Sequence, residues 1–128
     1  MKPSMNRWLK IAKKEAKSKK CGMYLFHIGT VREDAKAKVR FDDENTLPVV
    51  AMNFDYDGEK VNKAIEETYA KEGIYYVRVW LGKGKLKVGD EIMYVLIGGD
   101  IRPHIVDALD FLVSKLKNEC VKEEELFS

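Results

Sequence analysis

Hydrophobic positions in the first twenty residues recur at helical spacing. In SMNRWLKIAKKEAKSKK, Met5, Trp8, Leu9, Ala12 and Ala16 fall on one stripe, and Ser4 stands where an N-cap belongs. Lys10, Lys13, Lys14, Lys17, Lys19 and Lys20 lie mostly on the other face, as a solvated basic side or an anion-binding one. The pattern then changes. GMYLFHI (22–28) is a short apolar run without turn residues and reads as a buried strand, with His27 on the face of Met23 and Leu25. AKAKVRF (35–41) alternates small or apolar residues with basic ones, as an edge strand does. LPVVAMNFDY (47–56) is a further strand with Pro48 at its start, where proline is tolerated.

Next comes a helix capped by Asp55 or Asp57, with Val61, Ile65, Thr68 and Tyr69 facing inward and Gly73 closing it. IYYVRVWL (74–81) alternates strictly: Tyr75, Val77, Val79 and Leu81 on one face, Tyr76, Arg78 and Trp80 on the other. A short strand (85–88) sits between glycine turns, and IMYVLI (92–97), apolar throughout, predicts a central strand covered on both faces. The last helix starts near Arg102, with Asp100 a candidate cap and Pro103 in its first turn. Ile105, Leu109, Leu112 and Leu116 face the core. After Asn118 the pattern fails.

The expected architecture is therefore a single α+β domain over 1–128, a mainly antiparallel sheet with three helices. It divides into an N-terminal basic helix (1–20), a core (21–117) and an acidic tail (118–128), mobile unless a partner orders it.

Composition narrows the classes. With 128 residues, 45% hydrophobic and 34% charged, the chain can bury a real core. No apolar run approaches the roughly 20 residues that span a bilayer, and no secretory signal core is present, so a soluble, cytoplasmic protein is expected. Cys21 and Cys120 match no metal spacing and read as reduced, packing cysteines. No His/Cys cluster predicts a metal site, and no G-K-[ST] predicts a P-loop. A net charge of +2 is too small to argue for nucleic acid.

What remains for chemistry is a set of cations at element ends: Arg32 after the first strand, Arg102 at the start of the last helix, Lys115 and Lys117 at its end. Around Gly98-Gly99-Asp100-Ile101-Arg102 two readings stand. Free N–H groups at a helix N-terminus, two glycines and an arginine suit a phosphate or carboxylate. Alternatively the segment is a tight turn whose arginine pairs with Asp100 or Asp107. Lys117, likewise, is explained by the helix dipole alone.

From Gly22 to about Lys117 the order of motifs resembles the large, catalytic subunit of molybdopterin synthase. Gly29-Thr30-Val31-Arg32 matches a G-x-V-R motif ending the first strand. The run Leu81-Gly82-Lys83-Gly84-Lys85-Leu86-Lys87-Val88-Gly89-Asp90 is similar to H-R-x-G-x-L-x-x-G-[DE]. Ile92 to Ile97, Ile101-Arg102 and Leu116-Lys117 stand where that family has an apolar strand, an H-R turn and a helix ending in L-K. The resemblance implies an α/β-hammerhead-like fold and a homodimer within a heterotetramer. It implies as partner a small ubiquitin-like sulfur-carrier subunit with a C-terminal thiocarboxylate, and as substrate a cyclic pyranopterin phosphate. The reaction would be sulfur transfer in molybdenum cofactor biosynthesis, without metal or other cofactor.

By the same resemblance Lys117 would be the catalytic lysine, as acid/base or by transient capture of the carrier's acyl group. Arg32 and Arg102 would hold the pterin phosphate or the carrier's carboxyl. The chain differs from the family at Leu81-Gly82 and Ile101. A second family lysine falls on Glu124, or on Lys122 if the tail is two residues shorter. Two other readings are kept: a non-catalytic relative acting as a dimeric binding module, and a small RNA-binding domain using the N-terminal lysines, with Tyr76 and Trp80 as candidate stacking platforms.

Overall fold

The computed structural model describes residues 2–128. Helix α1 (Met5–Lys14) is capped by Ser4, whose hydroxyl accepts from the Arg7 N–H at 3.3 Å. A 3-10 turn (Ala16–Lys20) leads into β1 (Met23–Thr30). Then come α2 (Lys36–Phe41), β2 (Val49–Tyr56), α3 (Gly58–Tyr69), β3 (Ile74–Leu81), β4 (Gly84–Lys87), β5 (Glu91–Gly99), α4 (Arg102–Lys115) and, after a π turn (Leu116–Cys120), β6 (Val121–Phe127).

The strands form two antiparallel three-stranded sheets, ordered β1-β5-β3 and β4-β2-β6. The expected α+β class with antiparallel pairing is what the chain adopts. β5 is central, as its unbroken apolar run requires, and Ile92 to Gly99 are all buried. One face of its sheet, with β2, α3 and α4, closes the main core. Phe54, Met93, Val95, Ile97, Ile105, Leu112 and Leu116 are at most 1% exposed there. On the other face α1 lays Trp8 and Ala12 over Tyr76, Tyr94 and Leu96, with Phe26 and Trp80 beside them. From Tyr76 onward the two-faced alternation of β3 divides between two cores as expected, whereas a register shift between Ile74 and Tyr76 puts Ile74, not Tyr75, in the main one. Tyr76 and Trp80 are consequently packing residues under α1, and the Arg78 guanidinium lies 4.7 Å over the Trp8 ring. The RNA-binding reading has no open stacking platform there.

Two expectations are corrected. The alternation over 35–41 predicts an edge strand; these residues form α2 instead, bringing the helices to four. Both hydrogen-bonding edges of β2 are taken, by β4 and β6, and a run of Ala, Lys and Arg that pairs with no strand favours helix. Asp42 ends α2 in the left-handed region (φ 53°). The tail is also ordered: residues 121–127 form β6, paired along β2 from Tyr56↔Val121 to Val49↔Phe127. Its period-2 pattern is carried by Val121, Glu123 and Glu125 on the inner side and by Lys122 and Glu124 on the outer. Carboxylates at inward positions hid a strand whose inner face meets cations.

No helix is long and apolar enough to cross a membrane, and no group of three or more His, Cys, Asp or Glu is placed to hold a metal, among the described residues.

Candidate functional site

β1 ends at Thr30, and Val31 anchors the chain just beyond it. Val31 is 2% exposed, its N–H donates to the Asp90 carbonyl at 2.9 Å and its carbonyl accepts from Gly89. Arg32 therefore leaves a fixed backbone, and its Nε donates to the Asp34 carbonyl at 3.1 Å. Ala35, 2% exposed, pins the start of α2, which presents Lys36 and Arg40 one turn apart. From the other side, α4 runs into the π turn. Leu116 and Cys120 are buried, so the turn is held at both ends and the Lys117 side chain emerges between them, one-third exposed.

These elements converge on one small pocket lined by Arg32, Lys36, Arg40 and Lys117, by Glu123 and Glu125 of β6, and by Thr30, Met52 and Ile92. Lys117 Nζ lies 3.9 Å from Glu123 Oε1, and Lys36 Nζ lies 3.7 Å from Glu123 Oε2. The Lys36 N–H donates to Glu125 Oε2 at 3.0 Å. Glu123 Oε1 is fully buried and accepts no hydrogen bond. Close by on β1, His27 is half-buried. Burial, and secondarily the Lys117 charge, push its imidazole below its ordinary pKa. A pocket with four cations around two carboxylates is suited to binding an anion with several oxygens.

Of the expected site residues, Arg32 and Lys117 are brought together. Arg102 is not: it is exposed at the start of α4, about 20 Å along the helix from Lys117. Among the described residues it pairs with neither Asp100, which holds His104 (2.8 Å), nor Asp107, which faces Lys71 (3.5 Å). The two glycines before it serve packing. A Cβ on Gly99 would meet the Gly73 carbonyl oxygen at 2.5 Å, and one on Gly98 the Tyr24 ring at 2.6 Å, so neither leaves room for a ligand. Lys122 points to the outer face of β6, toward Asn53, Asp55, Lys83 and Glu124, away from Lys117. Glu124 also faces outward, accepting from Asn53 Nδ2 at 3.0 Å; the tail residue that confronts Lys117 is Glu123. Sequence reasoning missed Lys36, Arg40, Glu123 and Glu125 because it put α2 and β6 in other states.

The profile of the family described as MoaE protein matches residues 5–119. The chain belongs to the MoaE family. The MoaE fold is shared with solved structures of low sequence identity. Molybdopterin synthase from Staphylococcus aureus aligns with a TM-score of 0.75 at 12% identity, covering 98% of this chain and 86% of that one. Molybdopterin cofactor biosynthesis protein E from Burkholderia multivorans gives 0.72 at 20%, covering 100% and 84%. The complex of subunits 1 and 2 of molybdopterin-converting factor from Helicobacter pylori gives 0.66 at 15%, covering 98% and 80%. None of the curated proteins compared by sequence matches. The family resemblance drawn from the ordered motifs is thus shown, and with it the fold class. At the MoaE turn expected to carry H-R, this chain buries Leu81 and Gly82, and the Gly82 N–H donates to the Ile92 carbonyl at 2.8 Å. That turn is structural here.

Proposed function

We propose that this MoaE-family chain is the large subunit of a molybdopterin synthase. It would receive the thiocarboxylate of a small sulfur-carrier subunit and pass its sulfur to a cyclic pyranopterin monophosphate. The observation that carries this is the convergence of Arg32 and Lys117 on one cationic pocket, within a fold whose solved relatives include a two-subunit complex. Arg32 holds an anionic oxygen of the pterin phosphate or the carrier's carboxyl. Lys117 donates or accepts the proton at the reacting carbonyl, or captures the carrier's acyl group. In the homodimer that the reading includes, Arg102 contributes to an anion site only from the second protomer, since within one chain α4 separates it from Lys117. Lys122 belongs to the rim that the carrier passes rather than to the reacting centre.

A second reading, a non-catalytic dimeric binding module, is favoured by one observation: a carboxylate, Glu123, faces Lys117, while Glu124, on which the second family lysine falls, points outward to Asn53. Reconstituted sulfur transfer separates the two. Thiocarboxylated carrier and cyclic pyranopterin monophosphate are mixed with wild type and with Lys117→Ala, and molybdopterin is quantified. Product with the wild type and a loss of at least about 100-fold in the variant is expected for an essential catalytic group. Saturable carrier binding without product would move the chain to the second reading.

A further inference from the structure

The MoaE pocket is occupied by the chain itself. Glu123 and Glu125 put two carboxylates among Arg32, Lys36, Arg40 and Lys117, and the space left open is about 40 Å³, enough for a few water molecules and too little for a phosphate. The hold on Glu123 is loose. Its two ion pairs are 3.7 and 3.9 Å long, outside hydrogen-bond distance, and Oε1 is buried without a partner. The strand beneath is firm: β6 pairs with β2 over its length, and Glu124 is tied to Asn53 on the outer face.

Taking the pocket as the anion site proposed above, we infer that Glu123 and Glu125 are tethered stand-ins for the ligand's anionic oxygens. An incoming phosphate or carboxylate displaces the two side chains while β6 stays in its ladder, and Lys36, freed from Glu123, becomes a ligand of the bound anion together with Arg40, which lines the same pocket. The same four cations therefore bind in turn an internal and an external anion. Affinity for the external one is lowered by competition, and the cationic pocket is kept closed to stray anions until a ligand with several contacts arrives. Glu123, Glu125, Lys36 and Arg40 set how tightly the anion is held; none of them touches the reacting carbon.

The test is titration of the full chain with inorganic phosphate, monitored by calorimetry and by amide shifts, for wild type, Glu123→Gln, Glu123→Gln/Glu125→Gln and Glu124→Gln. Removing two like charges at contact distance is expected to tighten phosphate binding about tenfold in the double variant, with Glu123→Gln intermediate and Glu124→Gln unchanged. Lys36→Ala should then weaken the double variant more than it weakens the wild type. Should the double variant fail to melt cooperatively, Glu123→Asp, whose shorter carboxylate withdraws from Lys117, replaces it with the same expected sign. Equal phosphate affinity in all glutamate variants, with binding lost in Lys117→Ala, would overturn the stand-in and leave the anion site intact. No phosphate binding in any variant would overturn both. Repeating the titration with a peptide ending in Gly-Gly, as carboxylate and as amide, tells which external anion competes. A gain for the carboxylate peptide alone assigns the displaced position to the carrier's terminus, and a gain for phosphate alone assigns it to the pterin.

Discussion

Gly99→Ala separates the two uses to which the Gly98-Gly99 pair could be put. In the folded chain the added methyl would lie 2.5 Å from the Gly73 carbonyl oxygen and 2.8 Å from Ile105 Cγ1, about an ångström inside ordinary contact on both sides. Neither neighbour is free to yield. The Gly73 carbonyl accepts from the Asp100 N–H at 2.9 Å, and Ile105 is 0% exposed. Overpacking of this kind costs about 1–3 kcal/mol, and loosening the Gly73–Asp100 hydrogen bond adds about 1 kcal/mol. The reduced freedom of the unfolded chain returns about 0.4–1 kcal/mol. A net loss of about 2 kcal/mol corresponds to a fall in Tm of roughly 5–10 °C for a domain of this size. Thermal and urea unfolding monitored by circular dichroism measure it. Gly58→Ala, at the first turn of α3 with nothing within 4 Å of the new methyl, is the control and should hold or raise Tm by a few degrees. A Gly99→Ala protein as stable as wild type but weaker in phosphate binding would refute the packing account and restore the glycines to a ligand.

Asp57→Ala removes the cap whose Oδ1 accepts from the N–H groups of Glu59 (3.0 Å) and Lys60 (3.3 Å), and should cost about 1 kcal/mol in urea unfolding with the slope unchanged. The two histidines should titrate on opposite sides of the ordinary value in an NMR experiment. The hydrogen bond to Asp100 raises His104 and burial lowers His27, and Lys117→Met should move His27 back upward. The signs carry into stability. The His104 contribution is complete below about pH 6.5 and fades as pH rises through its raised pKa; that of His27, buried neutral, is present above about 6.5 and fades as pH falls through its lowered one. Truncation after Cys120 strips β2 of a whole partner strand and uncovers Phe54, so it should abolish cooperative unfolding, whereas loss of a mobile tail would leave Tm where it was.

The fold was legible in the sequence wherever hydrophobic period and burial agree. β3 and β5, α1, α3 and α4 have mostly apolar inward positions, and their patterns place the elements correctly, down to the Ser4 and Asp57 caps, although Met5 and Tyr69 stay exposed and α4 starts after Ile101 without the expected Asp100 cap. α2 and β6 do not obey that correspondence. α2 buries none of its own residues and leaves Val39 and Phe41 exposed, so its alternation mimics an edge strand. β6 turns glutamates inward, and no apolar template finds a strand whose inner face is ionic. Both failures fall on the walls of the one pocket. The residues visible beforehand, Arg32 and Lys117, sit beside elements with apolar inward positions; those invisible, Lys36, Arg40, Glu123 and Glu125, sit on elements whose pocket-facing side chains are charged.

That division bears on how the pocket works. Val31, Leu116 and Cys120 fix the backbone from which the Arg32 and Lys117 side chains leave. Lys36 and Arg40 hang on a six-residue helix that Glu123 and Glu125 tie across the pocket through Lys36. Two cations on fixed backbone thus face a short helix held through Lys36 by the very carboxylates that a ligand must replace. Exchange of one anion for another then changes the partners of Lys36 and Lys117 but leaves the backbone that carries Arg32 and Lys117 unmoved, which is the arrangement required if Lys117 is to stay aimed while the pocket fills.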